Sequence, residues 1–187
     1  GSLGPEIGKR SRGELVLEAL DHAEASAAAG ALADLHPMAY RPFNLIVADP
    51  RDCYWLRHGA DGDIRVHPLP AGLHMLASTE LDDMAHPRIG RFLPEFRAAA
   101  EPDSASGDWA AWTALLQDRD WVAGAGPAAA MNLADIQVDG RDFGTLCSSL
   151  IALPSYPGFN QRPVFLHADG PPDRVPFAPV ELGLLPS

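Results

Sequence analysis

The sequence predicts an α+β fold with a mostly antiparallel sheet. Three observations carry that expectation. A helix-start signal precedes an alanine-rich run near the N-terminus, an almost unbroken apolar strand at Phe43 to Ala48 is followed by turn-linked strands, and two amphipathic helical stretches separate these from later strands. Helices and strands thus come in blocks rather than in strict alternation, which argues against a parallel βαβ sheet. A strand apolar on both faces needs cover above and below, so stacked sheets between helical layers are expected.

Taken in order, Ser11-Arg12-Gly13-Glu14 has the S-x-x-E spacing of a capping box, and Leu15, Val16, Ala19, Leu20 and Ala23 then share one helical face. The alanine-rich run to Leu35 should continue helical, with Gly30 its weak point, until His36-Pro37 ends it. Phe43 to Ala48 reads as a central strand and Asp49 to Asp52 as a turn. Cys53 to Arg57 is a returning strand, and Ile64 to His67 follows a second turn, giving an antiparallel meander. Pro87 suits the first turn of a helix carrying Ile89, Phe92, Leu93 and Phe96 at helical spacing, with Pro94 expected to kink it. Asp108 can cap a further helix whose Trp109, Trp112, Leu115 and Leu116 form a core stripe. Gly124 to Ala130 reads as loop or weak helix. Strand character returns at Thr145 to Leu153 and Val164 to His167, with Asp169-Gly170 as a tight turn.

Composition narrows the function classes. The chain has 187 residues, 14 Lys or Arg against 25 Asp or Glu, and a formal charge of −11 that protonation of all 7 histidines reduces only to −4. Neither a nucleic-acid partner nor an anionic membrane surface is expected of such a chain. At 47% hydrophobic and 21% charged residues it has the composition of a folded domain, and no stretch is long and apolar enough for membrane insertion. Without an apolar leader among the residues given, a cytoplasmic location is the expectation. Cys53 and Cys147 stand too far apart to suggest a disulfide framework or a metal knuckle, and both read as free, largely buried thiols.

The short motifs with strong mechanisms are missing: there is no Walker loop, H-E-x-x-H, G-x-S-x-G or paired C-x-x-C. Asp82, Asp83 and His86 have hard-metal chemistry within five residues but read better as a solvated loop leading into a helix. Cys147-Ser148-Ser149 offers three nucleophiles in an apolar strand with no base beside them. His167-Ala168-Asp169, His58 and His74 supply isolated bases, each more readily explained by structure.

Several phrases taken together go further. Ser11-Arg12-Gly13-Glu14-Leu15-Val16, Pro42-Phe43-Asn44-Leu45-Ile46-Val47-Ala48-Asp49, Gly72-Leu73 with the following segment, and Phe143-Gly144-Thr145 leading to Leu150-Ile151 occur in an order and spacing that resembles the NRDE-domain family, also called the transport and Golgi organisation protein 2 family. The resemblance runs from about Ser2 to Val180, and it implies one domain over residues 1–187 lacking its N-terminal part. Family members look like N-terminal-nucleophile hydrolases, with a four-layer αββα sandwich and a Cys directly after the initiator Met. The α-amino group of such a Cys can serve as its base. That Cys, and the Asn-Arg-Asp-Glu phrase itself, would lie upstream of Gly1, so the expectation is a truncated or cleaved chain.

Relatives often carry an asparagine in the Gly-Leu phrase and an arginine after Gly-Thr, where this chain has Met75 and Leu146. A thioether cannot donate a hydrogen bond and leucine cannot pair with an anion, so a site here would be more apolar than an amidase requires. Two expectations follow. One is amide or thioester hydrolysis that needs the missing segment. The other is a non-catalytic module for haem, lipid or acyl-CoA, in which Asn44, His74, Met75, Leu146 and Cys147 contribute to a soft ligand pocket. With strands removed, the exposed sheet should seek the missing segment or a homodimer partner.

Overall fold

The computed structural model describes residues 6–59, 62–133, 136–138, 140–157 and 162–183. Its antiparallel sheets and separate helices make it α+β, in two compact units: Gly1–Gly72 with Ser155–Phe159, and Leu73–Pro154 with Asn160–Ser187.

In the first unit, helices α1 (Gly13–Leu20) and α2 (Ala25–Ala33) cover a meander of β1 (Phe43–Ala48), β2 (Cys53–His58) and β3 (Ile64–Pro68). The capping box forms in part: Glu14 Oε1 accepts the Ser11 amide at 3.3 Å, while Ser11 Oγ takes the Gly13 amide at 3.2 Å rather than that of Glu14. The helical run then breaks at residues 21–24, not at Gly30, which lies inside α2. The cause is tertiary. Asp49 Oδ2, from the β1–β2 turn, accepts the Ala25 amide at 2.8 Å and so starts a new helix where Glu24 makes no side-chain cap.

The strand boundaries agree with the sequence to within a residue, but the order β1-β2-β3 makes β2 the middle strand and β1 an edge among the described residues. The expectation of a central β1 is thus corrected. Its burial alternates, with Phe43, Leu45 and Val47 turned to the core and Ile46 and Ala48 exposed. The core joins Leu15, Ala29 and Leu32 to Tyr40, Phe43, Leu56 and Ile64. Burying side chains of this size contributes about 1.5–3 kcal/mol each before entropy.

In the second unit, α3 (Pro87–Ala98) begins with Pro87 at its first position and continues through Pro94, with Ile89, Phe92 and Leu93 fully buried. Asp108 caps α4 (Ala110–Gln117) by accepting the Ala110 amide at 3.1 Å, and Trp112 packs edge-on against Phe96. Arg91 on α3 pairs with Asp118 beyond α4 at 2.6 Å. Strands β4 (Ile136–Val138) and β5 (Arg141–Phe143) form a hairpin absent from the sequence reading, while β6 (Ser148–Ala152), β7 (Val164–Ala168) and the short β8 (Ala178–Pro179) form a third antiparallel sheet.

Candidate functional site

The break between α1 and α2 opens a groove in the first unit. It holds about 240 Å³ and is lined mostly by apolar side chains, among them Val16, Ala19, Leu20, Leu45 and Val47, with His22, Glu24 and Asp49 as its polar lining. The residues follow from local physics: α1 buries Leu15 in the core and leaves Val16 and Leu20 exposed, and the helical run stops at 21–24 before Asp49 caps α2. Leu20 stays 75% exposed and Val16 and Ile46 are also exposed, so the groove's rim is apolar and wet. Exposed apolar side chains gathered at a groove make it a candidate binding surface. Asp49 contributes structure rather than chemistry. The amides of Ala25, Asp52 and Arg51 donate to its carboxylate and hold it below the ordinary aspartate range.

A second constellation lies in the other unit. His74 Nδ1 donates to Asp82 Oδ2 at 2.7 Å, and Asp82 Oδ1 accepts the Met75 amide at 2.7 Å. Both side chains are about three-quarters buried. Asp82 adopts a left-handed backbone conformation, φ 54°, which costs a non-glycine residue about 1–2 kcal/mol and is held by these two bonds. Partial burial pushes its carboxyl up, but the Met75 amide, the His74 ring and the nearby Arg97 charge outweigh that and leave it below its usual value. Asp82 therefore fixes one ring nitrogen of His74, the way an orienting carboxylate does for a general base.

The other expected residues fall in both units. Asn44 belongs to the first unit, where its Oδ1 accepts from Trp55 Nε1 at 3.1 Å and Arg57 Nη1 at 3.3 Å, cross-strand bonds that brace the outer sheet face. His74 and Met75 are brought together, both in the second unit. Leu146 is 84% exposed and Cys147 is exposed, which corrects the expectation of two buried thiols; Cys53 is half-buried and its thiol is pushed up by burial. Ser149 has a base after all: His167 lies directly across the β6–β7 ladder, and its Nδ1 is 2.9 Å from Ser149 Oγ. Asp83 accepts the Ala85 amide and Asp82 turns to His74, and among the described residues no group of three His, Cys, Asp or Glu is placed to hold a metal ion. His58 is a core residue packed at 5.8 Å on Phe43.

Two features were missed from sequence. The groove depends on a cap that arrives from 24 residues away. Asn132, nearly fully buried, donates to Gln117 O and to Asp173, which also pairs with Arg119. An isolated Asn in a Met-Asn-Leu run carries no sequence signal of such a role.

These features define an α+β protein with an apolar groove in one unit and two histidine pairs in the other. No family model, curated protein or solved structure matches the chain. No helix among the described residues is long and apolar enough to cross a membrane.

Proposed function

We propose that this chain is an NRDE-type binding module that holds a short aliphatic or acyl chain in the groove between α1, α2 and β1. On that reading its sheets belong to the αββα sandwich the resemblance implies. The observation that carries the binding reading is the groove itself: a mostly apolar lining with exposed Val16, Leu20 and Ile46, and His22 and Glu24 in the same lining for a polar head. At about 240 Å³ it falls just below the range of drug-sized pockets, which suits a single chain rather than a ring system. A porphyrin macrocycle needs more volume than this, so haem does not fit the groove.

Titration with neutral n-alkyl amides of rising length tests the proposal. Each methylene buried contributes about 0.8 kcal/mol, so affinity should rise about fourfold per added carbon and then level off when the groove is full. Ala23→Trp, which fills the groove from an exposed position, should abolish saturable binding while leaving the circular dichroism spectrum unchanged. Affinity independent of chain length, or unchanged in Ala23→Trp, would reject the reading.

A second reading, amide or thioester hydrolysis, is favoured by the His74–Asp82 pair, which supplies an oriented base. It requires the nucleophilic Cys that the resemblance implies. A chain bearing an added Met-Cys start with the Asn-Arg-Asp-Glu segment should turn over thioesters, and His74→Ala should slow it; turnover indifferent to both changes would remove this reading.

A further inference from the structure

The third sheet ends at β6, which pairs with β7 on one side and with no strand on the other among the described residues. The Val180 amide donates to Phe165 O, so alternate residues of β7, Phe165 and His167, direct their main-chain groups toward β8. By the same alternation Ser148, Leu150 and Ala152 bond across to β7. The N–H and C=O groups of Ser149 and Ile151 then face the open edge. An edge of this kind is a template for another strand unless something blocks it, and charge is the usual block.

Here the block is missing. From Phe143 to Gln161 there is no charged side chain, in a protein whose net charge is −11. Along the same stretch Leu146 is 84% exposed, Ile151 60% and Leu153 46%, and Val180, two residues past Ala178 of β8, is 38% exposed.

We propose that β6 pairs antiparallel with β6 of a second copy of this chain. Charge selects that occupant. A cationic segment finds no carboxylate along the edge and an acidic one finds no cation there, whereas a neutral strand meeting its own copy brings no charge opposite another. Symmetry agrees. β6 has five residues centred on Leu150, so a twofold axis there sets Ser149 opposite Ile151 of the second copy and Ile151 opposite its Ser149. Both are the residues whose main-chain groups face outward. The pairing joins two three-stranded sheets into one of six strands, sets Ser149 of the second copy beside the Ile151 side chain, and is closed, so it does not propagate into fibres. It is independent of the groove in the first unit.

Sedimentation velocity of the full chain over a wide concentration series tests this, read together with amide exchange at residues 149 and 151. The expected result is a monomer–dimer equilibrium in which those two amides become protected as dimer forms. Ile151→Lys, and separately Leu153→Lys, each place a charge at an exposed position and should weaken dimerisation at least about tenfold without altering the circular dichroism spectrum. A wild-type chain that stays monomeric throughout, or a dimer that both lysine variants leave intact, overturns the proposal. So does a monomer whose edge captures a cationic peptide, which would show that the charge argument chose the wrong partner.

Discussion

The two three-stranded sheets make opposite use of the same architecture. In β1–β3 the central Leu56 is fully buried in the core with residues of α1 and α2, and at the β1–β2 turn Asp49 takes the amides of Ala25, Arg51 and Asp52. In β6–β8 Leu150 is also buried, but on the edge strand β6, and Ser149, Ile151 and Val180 stay exposed. Where a sheet is sealed by helices, recognition is left to the seam between helix and strand, which is the groove. Where it is unsealed, recognition falls to the edge and open face.

The largest expected effect tests the first half of that contrast. Leu56→Ala should cost about 3–5 kcal/mol, because close-packed helices above it cannot collapse into the cavity, whereas Leu150→Ala should cost nearer 2 kcal/mol in a sheet free to relax. Urea unfolding of both variants measures the difference, and equal losses would break the comparison.

Asp49→Ala comes next, at about 1–2 kcal/mol, through loss of the carboxylate that caps α2. Its pH dependence has a definite sign. A carboxyl depressed in the folded state contributes stability above its unfolded pKa of about 4 and loses that contribution as pH falls through the lower folded value. Wild type should therefore lose its advantage over Asp49→Ala as pH drops below about 4, and a gap that persists in acid would show that the carboxylate is not what caps the helix. The smallest effect is a gain. Gly30 sits inside α2 with nothing within 4 Å of where a Cβ would stand, so Gly30→Ala should stabilise the first unit by about 0.5–1 kcal/mol. A loss on thermal unfolding would mean that the helix bends there.

Much of this architecture could be read from residue order. The apolar run Phe43–Ala48 and the proline and aspartate turns located the meander, and helical spacing with Pro87 located α3, because these signals are local. The α1–α2 break was not legible, since Asp49 imposes it from another element against the helix preference of the alanines. The β4–β5 hairpin does have a signal, the Asp139-Gly140 pair, but its strands of three residues are too short to show a period of their own. His74 and Met75 were brought together, but by Asp82 rather than by a pocket wall, and Leu146 and Cys147 face solvent. Side-chain chemistry can be named from sequence; which side chains meet depends on turns and pairings that sequence specifies only weakly.

The central claim concerns where a ligand sits, and nuclear Overhauser contacts from an isotope-labelled octyl amide locate it directly. Cross-peaks to the methyl groups of Val16, Leu20, Leu45 and Val47 are the predicted result. Cross-peaks confined to Leu146 and Ile151, or none at saturating ligand, would contradict it.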